Sequence, residues 1–260
     1  MFVVREAELF KMAYIAGLVA SDGSITCIKR TCKIKIVTRS YDFAAYIRSV
    51  MSNFCKASIH ENRKCNTYEV YCYSKELATY LVNEFDLKIG AKARDIVFPS
   101  KHESEVVISY LRGLYDGDSS ITEVPVRLRR SSKIYVYALP RIMYKSKSFK
   151  LIRSMLKYLR QIGLRPYSWR DNDLYVLSLD GIKNIKKFAE IIGYTHPDKH
   201  KKLSSILLKY SNSHLLYYGE PAGEGVRNSS PAEAAGPENR SGLKPAAETP
   251  GRGRYAAVIR

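Results

Sequence analysis

One ten-residue motif occurs twice in this chain, and its repetition constrains the fold more than any other feature. The first copy, GLVASDGSIT, spans residues 17–26, and the second, GLYDGDSSIT, spans residues 113–122. Six of the ten positions are identical, among them an aspartate that is Asp22 in the first copy and Asp118 in the second. Self-similarity of this kind predicts that the chain is built from two copies of one structural unit.

Hydrophobic periodicity predicts the same order of elements around each copy, αββαββα. The residues before each aspartate have helical spacing, and alternating strand patterns follow. The predicted helices are 8–20, 40–54, 75–85, 104–115, 146–163, 181–193 and 198–210, and the clearest strands are 31–39, 67–74, 133–145 and 173–180. The copies are 96 residues apart at the motif but 106 apart at Phe43 and Phe149. The first hairpin of the second half is therefore expected to be ten residues longer.

These patterns divide the chain into a first repeat over residues 1–88, a linker over 89–101 and a second repeat over 102–210. A tail over residues 211–260 follows. From residue 219 onward the tail is rich in proline and has almost no large apolar residues. Such a segment cannot bury a core, so we expect it to be disordered.

The charge of the chain favours a polyanionic partner. There are 43 Lys and Arg against 25 Asp and Glu, for a net charge of +18. Half of the 20 tyrosines lie within two residues of a Lys or Arg, as groups that contact bases and phosphates often do. No apolar run is long enough to span a membrane, and the first residues lack the pattern of a secretory signal. We therefore expect a nucleic-acid partner, no membrane partner and no secretion.

The cysteine and histidine patterns predict no structural metal site. The five cysteines form no CxxC pair, so we expect unpaired thiols in a reducing compartment. The segment HPDKH, residues 196–200, could place two histidines on one helix face. Its proline and the nearby lysines indicate a solvated helix start instead.

The repeated aspartate lies where each motif helix is expected to end. The last four carbonyls of a helix lack partners, and the helix dipole is negative there, so a carboxylate is favourable only with a cation. Carboxylates beside carbonyls suit Mg²⁺ or another divalent cation such as Mn²⁺. Small residues such as Ala16 and Gly17 would let the two helices pack closely and bring Asp22 and Asp118 together. Paired carboxylates that hold metal ions near a polyanion suit phosphodiester hydrolysis.

The motif resembles the LAGLIDADG signature of homing endonucleases. IAGLVASDG, residues 15–23, matches well, and LRGLYDGDS, residues 111–119, departs at Arg112 and Ser119. The resemblance covers about residues 8–210 and is closest to monomeric two-motif members, many of them encoded in introns of archaea or organelles. It implies an α+β fold in which two packed motif helices lie at a pseudo-twofold axis between two saddle-shaped antiparallel sheets. It also implies metal-dependent cutting of both strands of DNA at a long site.

The resemblance also implies roles for particular residues. Asp22 and Asp118 would be the catalytic, metal-binding acids, and the backbone carbonyls of Ser21 and Gly117 would be co-ligands. Asp116 lies two residues before the second acid, and its side chain is not expected to face the metals.

A basic or polar residue at the end of the second strand of each half is a further feature of the family. Arg39 and Lys145, 106 residues apart, are the equivalents expected here. Either cation could steady the phosphate or position water, or could simply contact the DNA backbone.

Strand parity predicts a basic face that enters the major groove. Arg127 and Arg129 are expected to lie opposite Val126 and Leu128 in the longer hairpin. The residues expected to contact DNA are Lys33, Lys35, Arg39, Arg127, Arg129, Lys133, Tyr135, Tyr137, Arg141 and Lys145.

Three alternatives to a monomeric endonuclease remain, two of them on the same scaffold. The third is a basic structural protein, which would show no sequence preference beyond a steep salt dependence. A maturase would bind and fold its intron RNA without needing both acids, and a regulator would bind DNA without cutting it. We expect any of these proteins to act in the cytoplasm of a prokaryote, at the nucleoid, or in an organelle.

Overall fold

The computed structural model describes residues 5–90, 96–130 and 133–211, without the side chains of Arg130 and Lys133. The expected disorder of the tail falls on residues beyond 211 and so lies outside the described residues. The helices are α1 Glu6–Asp22, α2 Tyr41–Met51, α3 Lys75–Phe85, α4 Ser104–Asp118, α5 Phe149–Gln161, α6 Ile182–Ile191 and α7 Pro197–Ser211. The strands are β1 Gly23–Ile28, β2 Thr31–Thr38, β3 Ser58–Asn62, β4 Thr67–Tyr73, β5 Ser119–Arg130, β6 Lys133–Ser146, β7 Tyr167–Asp171 and β8 Leu174–Asp180.

The two halves form matching four-stranded antiparallel sheets. The strand order is β1-β2-β4-β3 in the first half and β5-β6-β8-β7 in the second. Each half has the order αββαββα, and α7 follows the second. The predicted α+β fold with a duplicated repeat is therefore confirmed. No helix within the described ranges has the length and apolar character needed to cross a membrane.

The motif helices α1 and α4 pack against each other at two glycines. A Cβ atom on Gly17 would lie 2.1 Å from the carbonyl oxygen of Tyr110, and one on Gly113 would lie 2.2 Å from that of Tyr14. Neither position can hold a side chain unless a backbone moves. The middle of α1 is buried on every side, from Met12 to Ala20, as expected of a helix at the centre of a molecule.

The structure corrects the alignment of the two halves. The Ser40 and Ser148 hydroxyls each accept the backbone N–H three residues on and so begin α2 and α5. These two caps are 108 residues apart, not 106. Phe43 is 2% exposed and Phe149 is 52% exposed, so Leu151 fills the place equivalent to Phe43. The expected offset of 106 residues is wrong because Phe43 and Phe149 are the same residue type but only Phe43 is buried.

The first hairpin of the second half is consequently twelve residues longer than that of the first half. Strand β5 has 12 residues against 6 in β1, and β6 has 14 against 8 in β2. Beyond the part of β6 that pairs with β8, the hairpin continues as a two-stranded ribbon.

Four of the five cysteines are paired, and both pairs lie in the first half. Cys27 and Cys32 are cross-strand neighbours at the tip of the β1–β2 hairpin and form a disulfide. Cys55, just after α2, forms a disulfide with Cys72 of β4. Cys65 is exposed and unpaired. The expectation of unpaired thiols is wrong for these four residues, because the sheet brings together cysteines that have no CxxC spacing.

Candidate functional site

The C-terminal ends of α1 and α4 meet at one end of the helix pair. A Cβ atom on Gly117 would lie 2.0 Å from Ser21 Oγ and 3.2 Å from the Asp22 carboxylate. Asp22 and Asp118 are the last residues of their helices, and both are exposed. Burial raises the pKa of the Tyr144 phenol, and the charges of both aspartates add to this effect. The fold thus brings the two repeated acids into one neighbourhood.

The pair of acids fits a divalent cation whose coordination is completed by a substrate. Within the described residues, no group of three or more His, Cys, Asp or Glu side chains could hold a metal ion. Mg²⁺ is typically held by one or two carboxylates together with substrate phosphates and water, so two aspartates are a sufficient protein contribution. Both stand at helix C-termini, where the negative end of the dipole also attracts a cation.

A lysine that the sequence analysis missed caps the end of α4. Lys199 Nζ donates to the backbone carbonyls of Tyr115, Asp116 and Gly117 at 2.9, 2.6 and 2.6 Å. An ammonium group has three donors, so all three protons are engaged. Lys199 belongs to HPDKH, whose solvated-start interpretation is wrong for this residue because its ammonium group packs against three carbonyls in the last turn of α4.

The environment of Lys199 ties it to the acids. Burial lowers the pKa of the Lys199 ammonium to about 8, while Asp116, Asp22 and Asp118 act in the opposite direction. The Gly117 carbonyl, expected to be a metal ligand, is already bonded to this cation. A carbonyl has two lone pairs, so one remains for a metal ion.

Asp116 faces the protein interior rather than the exposed acids. Its carboxylate is 1% exposed and accepts hydrogen bonds from the Tyr14 hydroxyl at 2.7 Å and from the backbone N–H groups of Thr195 and His196 at 3.1 Å. Burial raises the pKa of the Asp116 carboxyl, and these three donors oppose the rise. The carboxylate therefore joins α1, α4 and the start of α7.

The cations expected at the ends of the second strands are not structural equivalents. With the corrected offset of 108 residues, the counterpart of Arg39 is Lys147, not Lys145. Lys145 Nζ lies 3.2 Å from the Asp171 carboxylate, and Lys147 Nζ lies 2.7 Å from that of Asp173. Arg39 is exposed and follows β2 directly.

The outward face of the first sheet carries the expected basic residues. Lys33 Nζ lies 4.5 Å from the centre of the Tyr71 ring, and Lys35 Nζ lies 3.6 Å from the Glu69 carboxylate. The two lysines line an open depression of about 310 Å³. Its other lining residues are Ser24, Thr26, Ile28, Thr31 and Tyr73.

The long ribbon of the second half has two different faces. Arg127 and Arg129 pair with two aliphatic residues of β6, while Tyr135 and Tyr137 pair with two aliphatic residues of β5. Directly paired residues project to the same face, so the arginines and the tyrosines lie on opposite faces. The expectation of one shared basic face is therefore wrong. Alternation within each strand does not determine how the strands align across their turn.

The remaining expected contact residues lie in β6. Arg141 Nε donates to both Asp180 carboxylate oxygens at 2.9 Å, and the Tyr167 hydroxyl donates to the same carboxylate at 2.7 Å. The hydrogen bonds to Asp180 raise the pKa of the Arg141 guanidinium. The backbone of Lys133 is in β6, and its side chain lies outside the described part of the chain.

Comparisons with known proteins agree with this architecture. The LAGLIDADG-like domain family matches residues 9–83 and 105–193. The homing endonuclease I-ApeI of Aeropyrum pernix is 23% identical over 210 residues, which cover 76% of this chain and 87% of that protein.

Solved structures share the fold at lower identity. I-DmoI in complex with DNA and Mn is 18% identical, with a TM-score of 0.51, over 72% of this chain and 97% of that one. I-SmaMI bound to uncleaved DNA with calcium ions is 12% identical, with a TM-score of 0.52, over 78% and 92%.

Proposed function

This chain belongs to the LAGLIDADG-like domain family, and on that premise we propose that it is a site-specific endonuclease that hydrolyses double-stranded DNA with a divalent metal. One observation carries the proposal: both aspartates are retained, and the glycine crossing of α1 and α4 brings them to the same exposed end of the helix pair. A protein that only bound DNA would not need two carboxylates there, because each would repel a phosphate.

The metal would be held by Asp22 and Asp118, with the carbonyls of Ser21 and Gly117 as further ligands. Mg²⁺ or Mn²⁺ would neutralise phosphate charge and lower the pKa of bound water. The chain itself contributes the placement of these oxygens. Because the two helix backbones touch at Gly17 and Gly113, neither acid can move far from the other without disrupting the core.

Lys199 supplies a fixed positive charge at this centre. Its three protons are donated to carbonyls, so it acts on a nearby phosphate through its charge rather than by releasing a proton. The charge offsets the repulsion between the two carboxylates and an approaching phosphate. Fixed charges in a partly desolvated site stabilise a developing charge more strongly than mobile groups in water.

The outward faces of both sheets supply the surface for the duplex. Lys35 and Arg141 are paired with Glu69 and Asp180, and phosphates or guanine edges would replace these internal partners on binding. The internal ion pairs hold these long side chains in place before DNA binds, and so reduce the conformational entropy that the side chains lose on binding.

The ribbon of β5 and β6 extends this surface on one side. The major groove admits a two-stranded β-ribbon. Ile134 and Val136 of the ribbon are 66% and 62% exposed, although aliphatic groups of this size are usually covered. Contact with thymine methyl groups in the groove would cover them.

The proposal also covers the oligomeric state and the cellular location. Two motifs in one chain supply both acids, so the protein acts as a monomer. It acts in the cytoplasm of a prokaryote, at the nucleoid, or in an organelle, and it is not secreted.

The proposal is tested with the DNA that flanks the reading frame. Joining those flanks gives an uninterrupted target, which is incubated with purified protein and Mg²⁺. We expect one double-strand cut near the junction. Asp22→Asn and Asp118→Asn should each slow cutting by on the order of 10²–10³-fold, because each removes a metal-binding charge, while DNA affinity changes little. Asp42→Asn, an exposed aspartate of α2, is the matched control.

Three outcomes would reject the endonuclease. Cutting by either acid variant at the wild-type rate would remove the catalytic role of the acids. Tight DNA binding without cutting by the wild type would favour a regulator. Tight binding of the intron RNA without DNA cutting would favour a maturase.

A further inference from the structure

Asp116 is the only charged side chain that is fully buried among the described residues. Burying a carboxylate is unfavourable unless donors compensate, and even then an apolar residue is often at least as stabilising. The first motif shows that helix packing does not require this charge. The residue 96 positions earlier is Ala20, which is fully buried at the equivalent place in α1. Asp116 therefore serves something that the first motif does without.

The partners of Asp116 indicate what that is. Its carboxylate accepts the backbone N–H groups of Thr195 and His196, the two residues that precede α7. Pro197 is the first residue of α7, and Lys199 is the third. The carboxylate thus fixes the start of α7. Because Lys199 lies in the first turn of that helix, its backbone position is fixed as well.

Lys199 returns to the same segment from which Asp116 extends. Its Nζ bonds to the Asp116 carbonyl and to the carbonyls on either side of it. The Tyr14 hydroxyl bonds to the Asp116 carboxylate from α1. The start of α7 is therefore attached to the end of α4 at two points, through one carboxylate and one ammonium group.

We propose that Asp116 is a positioning residue that holds Lys199 against the end of α4, beside the second catalytic acid. The inference rests on the proposed endonuclease function for its kinetic consequence, but the position of Lys199 can be measured without DNA. Removing the Asp116 carboxylate alone should release Lys199, because the two backbone N–H groups that bond to it belong to the segment that leads into α7.

The first test is a double-mutant cycle on cutting. Single-turnover cleavage is measured at saturating protein for the wild type, Asp116→Ala, Lys199→Met and the double variant. We expect Lys199→Met to slow cutting by about 10²-fold and Asp116→Ala by about tenfold or more. In the Lys199→Met background, Asp116→Ala should change the rate by less than about twofold, because its effect passes through the lysine.

Thermal unfolding separates this role from simple stabilisation. If Asp116 only stabilised the fold, Asp116→Ala would lower the melting temperature. The fold-losses in cleavage rate of Asp116→Ala and Lys199→Met would then multiply in the double variant. The conservative variant Asp116→Asn should largely restore cutting. Its amide oxygen can accept both backbone N–H groups, while its NH₂ can donate to the Tyr14 hydroxyl. This variant also covers the case in which Asp116→Ala folds poorly.

The second test measures the lysine directly. Amine labelling by reductive methylation, quantified by mass spectrometry, should be slow at Lys199 in the wild type and in Asp116→Asn. In Asp116→Ala, labelling of Lys199 should approach that of the exposed Lys186, which serves as an internal control.

The outcomes separate the two levels of the claim. If the wild type cuts no target but Asp116→Ala unmasks Lys199, the endonuclease proposal fails and the positioning role stands. If the wild type cuts, the positioning role is overturned by independent, multiplying losses in the cycle. It is overturned equally by unchanged labelling of Lys199, or by asparagine and alanine variants that are equally slow.

Discussion

The two halves of the molecule agree where their motif helices cross and differ where those helices end. At the crossing, Gly17 and Gly113 make near-identical contacts with the opposite helix. At the ends, α1 carries the apolar Ala20 where α4 carries Asp116, and only α4 is capped by Lys199 of α7 in the described structure. Close packing of two helix backbones leaves no room for a side chain at the crossing. The terminal carbonyls of a helix, in contrast, can accept hydrogen bonds from any segment that lies beside them.

The hairpins differ in a second way. The first half has a short hairpin closed by the Cys27–Cys32 disulfide, and the second half has a ribbon twelve residues longer, which extends beyond the third strand of its sheet. A duplicated scaffold has thus acquired one compact and one extended surface on either side of the paired acids.

The largest expected effect concerns the crossing, where the halves should respond equally. Gly17→Ala and Gly113→Ala should each lower the free energy of unfolding by about 3 kcal/mol or more, because each new Cβ atom meets a backbone carbonyl. Denaturant unfolding measures the loss. Ala16→Gly, one residue from the crossing, should cost only about 1 kcal/mol. Clearly unequal losses at the two glycines would break the symmetry inferred for the crossing.

A smaller effect should distinguish the halves by their disulfides. Reduction, or Cys27→Ser and Cys55→Ser in separate variants, should lower the free energy of unfolding by about 2–3 kcal/mol per bond, since each loop gains entropy in the unfolded chain. Cys65→Ser, at the unpaired cysteine, is the control. The same unfolding curve with and without reductant would contradict the pairing.

The smallest effect should come from making the hairpins equal. Replacing residues 125–138 with a two-residue Asn-Gly turn removes six residues from each strand, or about 20 Å of ribbon. We expect DNA affinity to fall by about tenfold, while the cutting rate at saturating protein stays the same. The nuclease footprint should shorten by about 6 base pairs on the second half's side. The footprint on the first half's side should stay the same and is the internal control. Equal shortening on both sides would refute the placement of the β5–β6 ribbon on the second half's side of the DNA.

Much of the fold could be predicted from local patterns. Periodicity predicted the seven helices and the strands, because apolar spacing depends only on which face of an element is buried. The repeated motif predicted the duplication, and a carboxylate at a helix C-terminus indicated a cation site before any contact was known. The order of the elements and the duplication are confirmed, because each depends on residues close together in the chain. The cation site stays a prediction.

Two of the errors concern how one element lies against another. The alignment offset failed at Phe149 because a burial difference outweighed identity, and the ribbon arginines changed face because parity does not carry across a turn. Neither error could be detected from the pattern within one element.

The sequence alone therefore determined the repeat, the order of its elements and the two acids that end the motif helices. Only the tertiary structure decided which groups complete them. Lys199 lies 81 residues after Asp118, and nothing near it in the sequence distinguishes it from a solvated lysine. It becomes part of the site because carbonyls in the last turn of α4 lie within hydrogen-bonding distance once α7 packs there. A helix end creates unsatisfied acceptors locally, but folding alone determines the donor that satisfies them.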